Sequence, residues 1–179
     1  IPDRLFYPNV TEPSFIPKIN NIYFDKDIKL TKIASHAFHN VSSFNEIQLP
    51  STVDRIEEFA FYNTNIKEIV LPQSLTYIGN DAFEFSTLEH VKFNNNLAYI
   101  GDRAFAYTNL AAVDLSMTKI SVISDECFAN TYNLSKIKLP NNLLTIGERA
   151  FRCSNIEPLI IPDTVQTIYD NAFYFNTAL

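Results

Sequence analysis

Three histidines are the residues best suited to hold a metal ion. His36 and His39 are three positions apart, and His90 lies in a later segment. Residues three apart share one face of a helical turn, but a metal site needs three or four converging ligands. No third ligand accompanies the pair, so we expect surface or capping histidines, no metal ion and no cofactor.

The two cysteines, Cys127 and Cys153, are the candidates for a disulfide or a nucleophile. A disulfide needs Cα atoms within about 7 Å. The two residues occupy different positions of the repeat described below, with Cys127 facing inward, which makes that geometry unfavourable. A nucleophilic thiol needs a nearby base, and no suitable His and acid accompany either residue. We expect neither cysteine to be catalytic.

Other catalytic motifs do not appear in the chain. It contains no glycine-rich phosphate loop, no His-Glu-x-x-His and no Gly-x-Ser-x-Gly. The 20 Asp and Glu residues fit solvated turns of a repeat array better than an acid–base pair. The sequence therefore predicts a protein that is not an enzyme and has no catalytic residues.

An internal repeat is the dominant pattern of the sequence. The motif Ile-x-x-x-(Ala/Cys)-Phe occurs seven times, and consecutive Phe residues are 22 or 23 positions apart. This spacing lies within the range of about 20–29 residues that is typical of leucine-rich repeats. We expect the Phe rings to stack as an internal spine. They are Phe38, Phe61, Phe83, Phe105, Phe128, Phe151 and Phe173.

A second pattern, apolar-x-x-apolar-x-apolar, lies between successive motifs, as in Ile66, Ile69 and Leu71. Its period-two alternation predicts one short strand per repeat with one buried face. We expect the Ala-Phe segment to form a short helical or 3₁₀ turn opposite the sheet. The predicted fold is an α/β repeat solenoid, a curved right-handed array with one parallel strand and one such turn per repeat.

The complete unit is clearest from Leu71 to Phe93, which reads Leu-Pro-x-x-Leu-x-x-Ile-Gly-x-x-Ala-Phe, then four residues, then Leu-x-x-Val-x-Phe. It resembles the BspA-like class of leucine-rich repeats over residues 19–179. That resemblance implies a solenoid of a large cell-surface protein of anaerobic bacteria or protist parasites, implicated in adhesion. The chain departs from the class in having only three glycines and, after the Phe, only Cys153 at the usual Cys position.

The two ends differ from the repeats between them. Residues 1–18 contain four prolines and read as a Pro-rich leader or irregular cap, and residues 19–179 as a solenoid of seven repeats. All three glycines follow the motif Ile, where we expect either close backbone approach or a relaxed turn. Because Leu179 opens a further strand and solenoid ends need capping, we expect the array to continue or a neighbouring chain to cover this end.

Composition limits the partners. The formal net charge of −6 argues against nucleic acid, which requires clustered Lys and Arg. No apolar run reaches the roughly 18 residues of a membrane span, so we expect no direct membrane insertion. The sequons at Asn9, Asn40 and Asn133 permit N-glycosylation in a secretory route, although chance occurrence in an Asn-rich chain explains them as well.

The outward strand positions are the candidate binding face, because repeat solenoids bind partners along the concave surface that their strands line. Acidic residues occupy the early coils and basic residues the later ones, so the face is either bipolar or an ordinary solvated surface. The candidate residues are Tyr23, Glu46, Gln48, Glu68, Val70, His90, Lys92, Asp114, Lys136, Lys138 and Ile160.

The sequence is compatible with two hypotheses for function. The first is a cell-surface or extracellular adhesion or recognition module with a protein or glycan ligand on the concave face. The second is an intracellular scaffold packed against a filament or larger assembly. A set of tyrosines around the Phe turn either joins an interface or packs against adjacent coils. They are Tyr62, Tyr107, Tyr132 and Tyr174.

Overall fold

The computed structural model describes residues 22–43 and 45–179, in which the chain winds as a solenoid of short parallel strands. In this part of the chain no helix is long and apolar enough to span a membrane. The strands are β1 (Lys32–Ile33), β2 (Glu46–Ile47), β3 (Arg55–Ile56), β4 (Glu68–Val70), β5 (Tyr77–Ile78), β6 (His90–Lys92), β7 (Tyr99–Ile100), β8 (Ala112–Asp114), β9 (Val122–Ile123), β10 (Lys136–Lys138), β11 (Thr145–Ile146) and β12 (Thr167–Ile168).

The strands form two lines along the solenoid. The isoleucine line comprises β1, β3, β5, β7, β9, β11 and β12. Where neighbouring strands of this line pair, their register places one motif Ile beside the next, as for Ile56 and Ile78. The second line comprises β2, β4, β6, β8 and β10, which are five of the seven strands expected from the sequence. The equivalent segments, residues 22–24 and 159–161, are not in strands. The isoleucine line was missed because a two-residue strand is too short for alternation to be recognised.

The predicted helical or 3₁₀ turn is not confirmed, because residues 22–43 and 45–179 contain neither kind of helix. The Ala-Phe segment forms hydrogen-bonded turns with positive φ at two positions per repeat, such as Asp81 (φ 55°) and Phe85 (φ 58°). Fourteen of the described non-glycine residues take this conformation, which costs roughly 1–3 kcal/mol at each one.

Backbone hydrogen bonds between coils offset that cost. Alternate amides in each turn donate to the equivalent turn of the next coil, so that Phe61 N–H donates to Ala82 O and Phe83 N–H to Ala104 O, both at 2.8 Å. The amides between them donate three residues back within the turn, as Glu84 N–H does to Asp81 O. The backbone of the turns can be buried because its N–H and C=O groups are paired in this way.

The phenylalanine spine is present as predicted. Six of its rings are fully buried and Phe173 is partly buried. Neighbouring rings stack with centroids 5.1–5.6 Å apart and planes within 14° of parallel. Each fully buried Phe contributes roughly 1.5–3 kcal/mol, so the spine is the main apolar support of the solenoid.

Glycine fits where coils approach closely, as expected. A Cβ placed on Gly79 would lie 2.7 Å from the backbone nitrogen of Glu58, and one on Gly147 would lie 2.8 Å from that of Asp125. None of the three glycines has a positive φ. Their role is therefore close packing and not an unusual backbone conformation.

Both strand lines are interrupted at the same place. Strands β6 and β8 are not paired, and neither are β7 and β9. The corner between β8 and β9, in the fifth coil, runs from Leu115 to Ile120. It is one residue longer than the Leu71–Leu75 corner, and Met117 projects from it. The Ser124 hydroxyl donates to Ile100 O, a carbonyl whose equivalents accept a backbone N–H in other coils.

Candidate binding face

The strand face consists of the outward side chains of the second line, together with Tyr23, Pro158 and Ile160 at equivalent positions. In β4, β8 and β10 the outer residues are exposed and the central one is buried. Every predicted face residue is exposed, including Val70 at 57% and Ile160 at 88%. The structure therefore brings the predicted set onto one continuous surface.

The early coils carry the acidic half of this surface. Glu46 and Glu68 are register partners on adjacent strands, and like charges placed opposite each other are destabilising. Neither carboxylate has an ion pair within residues 22–43 and 45–179, whereas the neighbouring Glu89 pairs with Lys67 at 3.2 Å. The acidic half thus presents unneutralised charge to solvent.

The later coils carry the basic half. Lys138 Nζ lies 2.9 Å from Asp114 Oδ2, and Asp114 Oδ1 accepts a hydrogen bond from the Ser116 hydroxyl. The Ser116 hydrogen bond, followed by the Lys138 contact, lowers the pKa of Asp114. Lys92 and Lys136 form no ion pair with any described residue. The basic half therefore keeps two exposed, unneutralised ammonium groups.

A groove of about 590 Å³ crosses the basic half. Its floor includes Val113 and Ile137, its walls include His90 and Lys136, and Ala112 lies between the walls. The hollow exists because a methyl group separates two long side chains at equivalent positions of neighbouring coils.

A second exposed surface, the tyrosine face, lies on the isoleucine line and was missed from the sequence. Tyr77 and Tyr99 stack with centroids 4.8 Å apart, and the Arg55 guanidinium lies 3.7 Å from the Tyr77 ring centroid. Arg55 Nε also contacts Glu57 Oε1 at 2.8 Å. The signal is the recurrence of Tyr one residue before the motif Ile in two successive repeats.

Residues 14–121 and 116–179 match the BspA type leucine-rich repeat region, in six copies. The chain belongs to this family. Its leucine-rich repeats and solenoid fold are typical of binding scaffolds and not of enzymes. Among curated proteins, none is similar enough to match this chain.

Solved leucine-rich repeat proteins share this fold. One from Bacteroides ovatus is 27% identical with a TM-score of 0.73, the match covering 78% of this chain and 37% of that one. One from Eubacterium ventriosum is 23% identical with a TM-score of 0.67, covering 84% and 41%. The leucine-rich repeat protein of T. pallidum is 29% identical with a TM-score of 0.59, covering 66% and 55%. The chain thus spans less than half of the first two proteins.

The histidine pair of this leucine-rich repeat chain lies on the turn side of the coils. His36 Nδ1 and His39 Nδ1 are 3.0 Å apart, the His36 ring stacks on Phe59 and the His39 ring stacks on Tyr62. Within the described residues there is no group of three or more His, Cys, Asp or Glu side chains placed to hold a metal. The observed contacts are hydrogen bonding and ring stacking.

A buried acidic cluster lies further along the same side. Arg103 Nε donates to Asp81 Oδ1 at 2.7 Å, and the Asp81 side chain is buried. Glu84 is also buried, and its pKa is raised to about 7, chiefly by burial and then by a hydrogen bond with Asp81. Burial, with the nearby Glu84 and Asp81 charges, also raises the pKa of Tyr62. Because the Asp81 carboxylate is already paired with Arg103, the cluster is a structural ion pair, and Glu84 is its titratable neighbour.

The cysteines are free thiols. Cys127 is fully buried, and burial raises its pKa well above the ordinary value. Cys153 is half-buried at a positive-φ position of its turn. A buried thiol with a raised pKa is a poor nucleophile, so Cys127 serves as a small apolar core residue in the place of Ala.

The tyrosines around the Phe turn and the asparagines of the sequons differ in how exposed they are. Tyr62 is half-buried, whereas Tyr107, Tyr132 and Tyr174 are exposed, with the Tyr107 ring stacked on that of Phe85 at 4.5 Å. Asn133 is exposed, but Asn40 is half-buried and its Oδ1 accepts a hydrogen bond from Asn63 at 2.8 Å. Asn9 and the predicted leader, residues 1–18, lie outside the described residues.

Proposed function

We propose that this leucine-rich repeat region is a protein-binding module that holds its partner across the strand face, within a protein displayed at the cell surface. One observation carries the proposal: five strands present exposed, largely unneutralised charges and the exposed apolar Val70 on one surface. An open sheet edge or a smooth polar surface would offer less specificity than this pattern of charge and apolar area.

The tyrosine face is the competing surface. Its stacked rings satisfy one another, and Arg55 is engaged by Tyr77 and Glu57, so its groups are more fully paired within the chain. The unneutralised ammonium and carboxylate groups of the strand face gain more from a partner. This difference favours the strand face as the site of recognition.

Binding to a panel of immobilised extracellular matrix proteins tests the function. We expect at least one to bind the chain, and the double variant Lys92→Glu, Lys136→Glu to bind at least tenfold more weakly with its fold retained, because both positions are exposed. Lys119→Glu is the matched control, since Lys119 is exposed outside this face and contacts Asn96. Absence of binding to every panel member, or equal loss in the control, would contradict the proposal.

Surface display has its own test. Intact source cells are treated with a membrane-impermeant amine reagent, and the modified lysines are identified by mass spectrometry. Lys92 and Lys136 are exposed and should be modified. Protection of every lysine in intact cells, with modification after lysis, would favour the intracellular scaffold instead.

A further inference from the structure

The groove over Ala112 has the dimensions of a side-chain site. Ala112 and Lys136 are register partners on β8 and β10, and His90 holds the equivalent position one coil earlier. The spine rings of these three coils are 5.5 and 5.6 Å apart, close to the spacing of about 4.8 Å between paired strands. The His90 and Lys136 backbones, two coils apart, are therefore separated by about 10–11 Å with only a methyl group between them. That gap accommodates one partner side chain.

The charges around the groove specify what that side chain carries. Asp114 neutralises Lys138 at 2.9 Å, which leaves Lys136 as the wall ammonium without an ion pair among the described residues. His90 supplies an imidazole on the opposite wall. Glu157 is the acidic residue at the far end, beside Pro158, and it also has no described ion pair. A carboxylate near Lys136 and His90, away from Glu157, is the complementary group.

The acidic half of the face specifies a second group on the same partner. Glu68 and Glu46 lie two and three coils from Ala112 along the same column of outward positions. At about 4.8 Å per coil, they are about 10–14 Å from the groove. An extended chain covers that distance in three or four residues. A polyanion such as nucleic acid would be repelled by both carboxylates.

We propose that the groove over Ala112 receives the carboxylate of an extended segment of the protein partner, which carries a Lys or Arg three or four residues away that pairs with Glu68 and Glu46. This inference rests on the proposed function and adds the chemistry of the partner. Lys136 and His90 bind the carboxylate, while the apolar floor excludes water from the contact. Because the basic groove and the acidic pair lie at opposite ends of the site, they determine the direction in which the partner segment runs.

The experiment is an NMR titration of the whole chain with a synthetic probe. The probe is an acetylated, amidated seven-residue peptide of Ser and Val with Glu at its second and Lys at its sixth position, and the control peptide has Gln in place of Glu. We expect the probe to shift the amide signals of β8, β10 and β4. The control peptide should bind at least tenfold more weakly than the probe. The probe itself should bind at least tenfold more weakly at 0.5 M salt, because the Debye length is then only about 3–5 Å.

Variants separate the groove from general charge effects. Lys136→Glu and Ala112→Phe should each weaken probe binding at least tenfold, the first by reversing the wall charge and the second by filling the hollow. Lys119→Glu, at an exposed lysine that contacts Asn96 outside the strand face, should change it less than twofold. Equal binding of the Gln peptide, or unchanged binding by the Ala112→Phe variant, would overturn the inference.

The two proposals fail in different ways. If matrix-protein binding depends on the strand face but not on Ala112→Phe, only the groove assignment is wrong. If the probe shifts amides of the tyrosine face, or if matrix-protein binding ignores every strand-face substitution, the proposed function is wrong as well.

Discussion

The ring of Phe83 stacks on the ring of Phe105 with centroids 5.2 Å apart and planes 5° from parallel. The same two coils are joined at the Phe83 amide, which donates to the carbonyl of Ala104 at 2.8 Å. Ring and amide therefore hold neighbouring coils together at one place. Each coil depends on its neighbours for this contact, as is general in solenoids.

Truncation of the spine is expected to be severe. Phe105 is fully buried and stacks on rings on both sides, so Phe105→Ala should lower the free energy of unfolding by about 3–5 kcal/mol. Urea denaturation followed by circular dichroism measures the change. Tyr132→Ala, at an exposed turn position, should cost less than about 0.5 kcal/mol. Equal stability of the Phe105→Ala variant and the wild type would contradict the assigned register.

The buried carboxyl of Glu84 makes stability depend on pH. Its pKa is raised in the folded chain, from 4.5 to about 7, so folding favours its protonated form. Its stabilising contribution is present below pH 4.5 and is lost as the pH rises through 7. Each tenfold difference in proton affinity is worth about 1.4 kcal/mol, and Glu84→Gln should therefore stabilise the chain by about 3 kcal/mol at pH 8.

At pH 4 the same substitution should change stability little, because Glu84 is then neutral in both states. Thermal or urea unfolding at pH 4, 6 and 8 measures the difference. Glu58→Gln is the control, since Glu58 is exposed. A stability difference between the Glu84→Gln variant and wild type that stays constant over this range would argue against a titrating Glu84.

The interruption between the coils predicts uneven hydrogen exchange. The amides of His90 and Lys136 donate to backbone carbonyls of the preceding coil, at 3.0 Å and 3.4 Å. The Ala112 amide, at the equivalent position between them, has no backbone acceptor in the described part of the chain. Ala112 should exchange faster than the other two amides by tenfold or more in native-state NMR exchange. Equal protection at the three positions would contradict the interruption.

Thiol reactivity should differ sharply between the two cysteines. Cys127 is fully buried with a raised pKa, and Cys153 is half-buried. Cys153 should be the first to react with a thiol reagent in the native chain, whereas Cys127 should require unfolding. The reaction of both cysteines is followed by the absorbance of the thiolate that the reagent releases. A Cys153→Ser variant shows the reaction of Cys127 alone. Rapid reaction of the Cys153→Ser variant without denaturant would be inconsistent with the burial of Cys127.

The repeat spacing was sufficient to predict the spine and the strand face. Phe residues every 22 or 23 positions can be buried together only if each coil lies on the next, and the alternation of residues such as Glu68, Ile69 and Val70 assigns which of them face outward. Both features depend on which side chains are buried, and the spacing of apolar residues along the sequence indicates this directly.

The turns and the second strand line could not be predicted in the same way. Residues as different as Phe59, Arg103 and Glu126 take positive φ, and side-chain preference alone would not place them there. The coil-to-coil hydrogen bonds impose this conformation. The groove depends in turn on Ala112 lying between longer residues, and on how coils of unequal length fit together, which single-repeat patterns do not reveal.

Blocking one face at a time tests most directly that the strand face binds the partner. In a Cys153→Ser background, Gln48→Cys or Val70→Cys provides a site on the strand face and Thr145→Cys a site on the tyrosine-bearing isoleucine line, each modified with a maleimide-linked polyethylene glycol. The affinity for the panel protein that binds best is then measured. We predict that modification at either strand-face site lowers this affinity at least tenfold, and that modification at position 145 changes it less than twofold. The opposite pattern would contradict the account.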